Sequence, residues 1–157
     1  REINPEQGLA FMRQALESKG SDFSRADLWM VNEMGLSMRK QGDWQGAVDA
    51  YQKALDVIPD EPGLHYNMGM AFFQGKEHLK AVKQFDKAVA ASPGILQESP
   101  LIPFNIGMVH YQMRRFEDAE RYMRTALDND PDFEQAKAVL AKLVSVSAAG
   151  GGVAAQP

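Results

Sequence analysis

The stretch 35–59, GLSMRKQGDWQGAVDAYQKALDVIP, contains spaced small and apolar residues that recur twice further along the chain. One glycine, two alanines, an aromatic residue and a proline stand at fixed spacing: Gly35, Ala47, Tyr51, Ala54 and Pro59. The second set lies 34 residues later: Gly69, Ala81, Phe85, Ala88 and Pro93. The third lies 38 residues beyond that, with Met in the aromatic position: Gly107, Ala119, Met123, Ala126 and Pro131. A period of this length indicates an array of helix–turn–helix units, which bury their apolar faces by stacking on one another.

Each repeated residue type has a physical role in such a unit. Glycine and alanine are small and let two helices cross closely, while the aromatic or Met side chain fills the space between them. The proline ends the second helix of one unit and leads into the next unit. We therefore predict no strand and eight helices, with bounds near 5–18, 24–41, 44–57, 62–74, 78–91, 100–113, 116–129 and 132–146.

The repeated residues resemble the tetratricopeptide repeat family, whose loose pattern combines Leu-Gly, aromatic residues, Ala-Leu and a final proline. The matching pairs are Met34-Gly35 and Ala54-Leu55, Met68-Gly69 and Ala88-Val89, and Ile106-Gly107 and Ala126-Leu127. The complete repeats span 28–61, 62–95 and 100–133. The resemblance implies an all-α fold, a right-handed superhelical solenoid of antiparallel helix pairs. The third copy departs from the pattern at His110, and residues 95–99 lengthen the loop before it.

The N-terminal segment, 1–22, extends the pattern by half a repeat. Within it, four residues match the second helix of the first repeat at a shift of 39: Gly8, Met12, Ala15 and Leu16 match Ala47, Tyr51, Ala54 and Leu55. The partner helix of such a half-repeat would precede Arg1, so we expect the chain to be a piece of a longer protein. A capping or dimerising helix particular to this protein is the alternative interpretation.

The C-terminal segment, 132–146, carries apolar residues at helical spacing: Phe133, Ala136, Val139, Leu140, Leu143 and Val144. This pattern predicts a capping helix that seals the end of the stack. Residues 147–157 are small and glycine-rich, and we expect them to form a disordered tail.

Composition argues against catalysis. The chain has 157 residues, enough for one structural unit, with a net charge of −4 and no cysteine. No apolar run approaches the ~18 residues of a membrane span, and the acidic charge argues against nucleic-acid binding. The three histidines are dispersed, and no phosphate-binding glycine loop occurs. We therefore predict a non-enzymatic, cytoplasmic protein with no catalytic residues, no metal and no cofactor.

The candidate binding residues lie on the first helix of each repeat, which lines the concave side of a two-helix array. Counted from the repeat glycine, positions −3, +1 and +4 share one side of that helix. We call these residues the stripe: Asn32, Leu36, Arg39, Tyr66, Met70, Phe73, Phe104, Met108 and Tyr111. At position −2, the resemblance implies that Asn67 and Asn105 pair with the backbone of a bound peptide. The alternative is that the stripe is buried, by a tight superhelix or by the N-terminal helix folding across it.

The stripe predicts an adaptor or scaffold that binds a protein or peptide segment through apolar side chains. Chaperone C-terminal peptides, well-known ligands of the resembled family, are held by a clamp of Lys, Asn and Arg residues. This chain has Asn32, Leu36, Leu101 and Asn105 at four of those positions, and only Asn67 matches. Three alternatives stay open: a self-association module that forms a homodimer, a secretion-type chaperone for a client segment, and a docking module attached to another domain.

Overall fold

The structure, a computed structural model, describes residues 5–19 and 24–151 of the chain. Within these residues there are nine α-helices and no strand. In chain order they are α1 (Pro5–Lys19), α2 (Arg25–Lys40), α3 (Trp44–Val57), α4 (Pro62–Gln74), α5 (His78–Ala91), α6 (Ile95–Glu98), α7 (Leu101–Gln112), α8 (Phe116–Asn129) and α9 (Glu134–Gly151). The predicted all-α fold is confirmed.

The eight predicted helices are all present, and the bounds of all but the last agree within one residue. The ninth helix, α6, is a short one in the 95–99 insertion, where the sequence predicted only a longer loop. Ile95 is buried, and the Asn129 side chain in α8 donates a hydrogen bond of 2.6 Å to the Leu96 carbonyl. These contacts fix the insertion against the helices that follow it.

The last helix, α9, is longer than predicted. It begins at Glu134 and continues to Gly151, past the predicted end at Val146. The expectation of a disordered tail is therefore wrong for 147–151, and the rest of that tail, 152–157, lies outside the described residues. The physical reason is that Ala148 and Ala149 favour helix, alanine being the strongest helix former.

The helices fall into two compact units, residues 1–93 and 94–157, where the composition predicted one. The N-terminal unit holds α1 to α5, and the C-terminal unit holds α6 to α9. Short turns pair α2 with α3, α4 with α5 and α7 with α8. We call α2, α4 and α7 the first helices, and α3, α5 and α8 the second helices.

Each pair is built on a close crossing between the repeat glycine and a large side chain of the second helix. A Cβ atom added at Gly69 would lie 2.6 Å from Cε1 of Phe85, and one at Gly107 would lie 2.7 Å from Cε of Met123. At Gly35 the Tyr51 ring occupies the corresponding space. All three large side chains are buried, which explains why only glycine fits at the repeat position.

The turn inside each pair uses one residue in the left-handed backbone region. That residue is Gly42 in the first pair (φ 83°), Lys76 in the second (φ 60°) and Arg114 in the third (φ 59°). At each turn the following amide reaches back to a first-helix carbonyl; in the second pair the Glu77 N–H donates to the Phe72 carbonyl at 2.9 Å. The geometry is that of a helix C-terminus closed by a left-handed residue, a conformation that favours glycine.

The Tyr51 side chain is buried in the core of the N-terminal unit. Burial raises the pKa of the Tyr51 hydroxyl to about 12, and the Arg39 guanidinium beside it partly offsets that rise. The folded state therefore favours the neutral phenol, because an ionised one would be held away from water.

We expect Lys76→Gly to stabilise the chain by about 0.5–1 kcal/mol. The substitution removes a left-handed conformation that costs a non-glycine residue about 1–2 kcal/mol, and it adds about 0.5–1 kcal/mol of backbone entropy to the unfolded chain. The midpoint of urea unfolding in about 1 M salt measures the change, because salt at that concentration screens the attraction between the Lys76 ammonium and the end of α4. Gly42→Lys, at the equivalent turn, is the reciprocal variant and should lower the midpoint; equal midpoints for both variants and the parent would contradict the assignment.

We expect the free energy of unfolding to contain a component of about 3 kcal/mol from Tyr51 that disappears at high pH. Since the folded pKa lies above the unfolded value, this component is fully present below about pH 10 and is lost as the pH rises through about 12. Urea unfolding of the parent and of Tyr51→Phe, measured across that range, isolates it, because the phenylalanine variant cannot ionise there.

The range well below pH 10 is the control, because the Tyr51 phenol is neutral there in both the folded and the unfolded chain. The parent and Tyr51→Phe should have parallel profiles in that range. Profiles that stay parallel through about pH 12 would contradict the role of the buried phenol.

Candidate functional site

The two first helices of the N-terminal unit, α2 and α4, lie side by side in a fixed register. The Asn67 side-chain amide donates a hydrogen bond to Oδ1 of Asn32 at 3.0 Å, and the Gln74 amide donates to the Arg39 carbonyl at 2.8 Å. Both bonds join residues 35 apart, one near the middle and one near the end of the helices. Stripe residues of α2 are therefore brought next to those of α4.

The stripe in this unit is neither fully open nor fully buried. Leu36 is exposed, and the other stripe residues of α2 and α4 are partly buried. Tyr66 packs on the core ring of Phe85, with ring centroids 5.6 Å apart. Phe73 packs on His78 at the start of α5, with centroids 5.8 Å apart. The two aromatic residues thus have supporting rings beneath them and keep part of their surface in solvent.

Arg39 takes a different position from the one that the stripe predicts. Its guanidinium interacts with the hydroxyl of buried Tyr51, and its Nε atom is buried without a hydrogen-bond partner. The Arg39 side chain is therefore held largely within the α2–α3 pair. Because it is long and flexible, it can turn toward the core although its Cα atom lies on the stripe side of α2.

The residue that the sequence reasoning missed is Trp29. It is 67% exposed, against 37% for Leu36, and the two lie seven residues apart, which places them on the same side of α2. Trp29 stands at position −6 from Gly35, one turn before the stripe begins. The helical spacing alone could have included it, had the stripe been extended toward the start of the helix. The equivalent residues are Gly63 and Leu101.

The C-terminal unit holds the remaining stripe residues on α7. Phe104 meets Phe133 edge to face at a centroid distance of 5.1 Å, and Tyr111 meets Phe116 in the same way at 5.9 Å. Together with Met108, these residues pack against the core formed by α8 and α9. Asn105 is partly buried, and Leu101 at position −6 is exposed.

Two of the three histidines, His65 and His110, are buried and contact neighbouring helices or turns. His65 places Nε2 at 2.8 Å from the Pro59 carbonyl and Nδ1 at 2.8 Å from Oε1 of Gln84. His110 stacks on Tyr122 with centroids 5.5 Å apart. In the part of the chain that the structure describes, no group of three or more His, Asp or Glu residues could hold a metal ion, and none of the described helices has the length and apolar character of a membrane span.

Two family models match the chain, one described as "TPR repeat" over 35–75 and one as "Tetratricopeptide repeat" over 104–133. Among curated proteins, the chain is 28% identical over 107 residues to BBSome complex member BBS4 of Mus musculus, which covers 68% of this chain and 20% of that protein. It is 29% identical over 111 residues to Tetratricopeptide repeat protein 16 of Homo sapiens, covering 69% and 13%. The chain thus spans a fifth or less of the length of these two relatives.

Among solved structures, the chain is similar to the first TPR of Spaghetti (RPAP3) bound to the HSP90 peptide SRMEEVD. The TM-score is 0.69 at 25% identity, covering 76% of this chain and 92% of that chain. The crystal structure of MamA gives a TM-score of 0.71 at 14% identity, covering 87% and 75%, and shows a shared fold. The repeat spacing, the close glycine crossings and these matches agree, and the chain belongs to the tetratricopeptide repeat family.

Proposed function

We propose that this chain is a protein-interaction module that binds a peptide or helical segment of a partner protein on the stripe side of α2 and α4. The observation that carries the proposal is the exposure of Trp29 beside Leu36 on α2. Adjoining exposed apolar residues mark interaction sites, and tryptophan is enriched among the residues that dominate interface energy.

The amide pair between the helices supports an extended ligand. The bond from Asn67 to Oδ1 of Asn32 uses one donor and one acceptor. The amide group of Asn32 and the oxygen of Asn67 remain for a ligand, and a peptide backbone offers both a carbonyl and an N–H within one residue. A partner segment lying across α2 and α4 would therefore have polar contacts next to the apolar ones.

The similar structure of the first Spaghetti (RPAP3) repeat domain, bound to an HSP90 peptide, supports peptide binding as a class of function. The composition of the stripe favours a different kind of ligand for this chain. Leu36 and Leu101 are apolar and exposed, where a clamp for a terminal carboxylate needs charged or amide groups. We infer that apolar side chains of the partner, rather than a chain terminus, supply most of the recognition.

The proposed role is non-catalytic. One relative, Protein O-mannosyl-transferase Tmtc3 of Drosophila melanogaster, is named for an enzyme activity, and the match covers 14% of its length at 23% identity. The described part of this chain offers instead an apolar surface supported by rings. A peptide ordered on such a surface loses conformational freedom on binding, so we infer a Kd of about 1–100 μM.

We expect Trp29→Ala to weaken peptide binding about 30-fold while leaving the melting temperature unchanged. The reason is that interface tryptophans often contribute about 2 kcal/mol or more, whereas an exposed side chain contributes little to folding. Peptides selected by phage display on the parent chain provide the ligands, and fluorescence polarisation measures their Kd for each variant.

Leu79→Ala is the matched control, because Leu79 is 69% exposed and lies on α5, which is a second helix. A second measurement uses Trp44→Phe, which leaves Trp29 as the single tryptophan; its emission should shift to shorter wavelength when the peptide binds. Unchanged affinity in Trp29→Ala together with an unchanged emission spectrum would contradict the proposed surface.

A further inference from the structure

Arg39 is a charged residue at a place where the other repeats carry rings. It stands at stripe position +4 of the first repeat, and its equivalents in the second and third repeats are Phe73 and Tyr111. Its guanidinium lies beside the hydroxyl of buried Tyr51. The equivalent of Tyr51 in the second repeat is Phe85, which has no hydroxyl. The first repeat therefore combines a cation and a phenol where the second has two apolar rings.

The Arg39 guanidinium keeps hydrogen-bonding capacity that the protein does not use. A guanidinium has five N–H donors in a planar fork. In Arg39 the buried Nε atom has no hydrogen-bond partner, and no carboxylate among the described residues forms an ion pair with the side chain. The residue as a whole is only partly buried, so the side chain also reaches the surface of the stripe.

The acidic side chains near this end of α2 have other partners or lie in solvent. The Asp43 carboxylate accepts a hydrogen bond of 2.8 Å from a backbone N–H at the start of α3 and caps that helix. Glu77 pairs with Lys80 at 3.5 Å. Glu33, which precedes Arg39 by six residues on α2, is exposed. The described part of the chain thus leaves the charge of Arg39 without a counter-charge in contact.

Two further cations stand at the same end of α2 and α4. Lys40 is the last residue of α2, and Lys76 follows the end of α4 by two residues; both are exposed. The two helix ends lie side by side, because the Gln74 amide donates to the Arg39 carbonyl at 2.8 Å. This end of the binding surface therefore favours a negatively charged ligand, although the whole chain carries a net charge of −4.

We infer that the partner segment carries an acidic side chain whose carboxylate is bound by the Arg39 guanidinium; this inference rests on the proposed binding of that segment at α2 and α4. The fork of a guanidinium matches the two oxygens of a carboxylate. The Tyr51 hydroxyl beside the guanidinium restricts its motion before the ligand arrives, so less conformational freedom is lost on binding. A side-chain carboxylate suffices, and the end of a chain is not required.

The position of Arg39 relative to Leu36 gives the spacing expected in the partner. The two residues are three apart on one side of α2, which is ~4.5 Å along the helix axis. In an extended segment, alternate side chains share one face and lie ~7 Å apart. The acidic residue should therefore stand about two residues from the apolar residue that packs on Leu36.

Peptides selected by phage display on the parent chain test the inference. They are synthesised with acetylated and amidated ends, which removes the terminal charges. We expect most of the selected sequences to carry Asp or Glu about two residues from an apolar residue. Changing that acid to its amide should raise the Kd about tenfold for the parent and less than about twofold for Arg39→Gln. Fluorescence polarisation measures both values.

Two further variants separate recognition from folding. Arg39→Gln removes the group beside the Tyr51 hydroxyl, so the double variant Tyr51→Phe/Arg39→Gln is measured as well, because it removes both polar groups together. Tyr51→Phe alone keeps Arg39 and should retain the preference for the acidic peptide. Lys83→Gln removes a positive charge at an exposed position on α5 and should behave like the parent. Thermal melts show whether each variant is folded.

The outcomes distinguish this inference from the proposed function. Peptides that bind the parent without a recurring acid would overturn the inference and leave peptide binding intact. An amide change that weakens binding equally with and without Arg39 would do the same. If no peptide binds the parent, the proposed function fails and the inference fails with it.

Discussion

This structure depends on one constraint, which is that the backbone of each repeat glycine lies very close to a large buried side chain. At Gly35, Gly69 and Gly107 the second helix inserts a ring or a Met side chain into the space that a Cβ atom would fill. The depth of that insertion sets the distance between paired helices. The distance between paired helices in turn sets how neighbouring first helices are aligned and which of their side chains can contact a partner.

The sequence predicted the helices well because the repeated residues are the ones that make these crossings. Glycine, alanine and proline each act through backbone sterics, which depend little on distant parts of the chain. The extra helix at Ile95–Glu98 was missed because four residues carry no periodic signal. The extension of α9 was not predicted because residues 147–157 are small and glycine-rich, although Ala148 and Ala149 favour helix by themselves.

The candidate site was predicted less completely, for a physical reason. Helical spacing gives the direction of a Cα–Cβ bond, but the conformation of a long side chain is decided by its neighbours. Arg39 illustrates this, because Tyr51 draws its guanidinium inward. The rings under Tyr66 and Phe73 both come from α5, and no pattern in the first helix indicates them. Trp29 was within reach of the spacing argument, since it lies two turns before Leu36.

The left-handed residues at the turns have a consequence for how this protein responds to salt. Lys76 and Arg114 each stand two residues after the end of a first helix, close to the last carbonyls of that helix, which carry partial negative charge. A cation at this place stabilises a helix by about 0.3–1 kcal/mol at low ionic strength. Conformational strain and electrostatic attraction are therefore carried by the same residue and oppose each other. Dissolved ions screen the attraction and leave the strain untouched, so the second and third turns become relatively less stable than the glycine turn as the ionic strength rises.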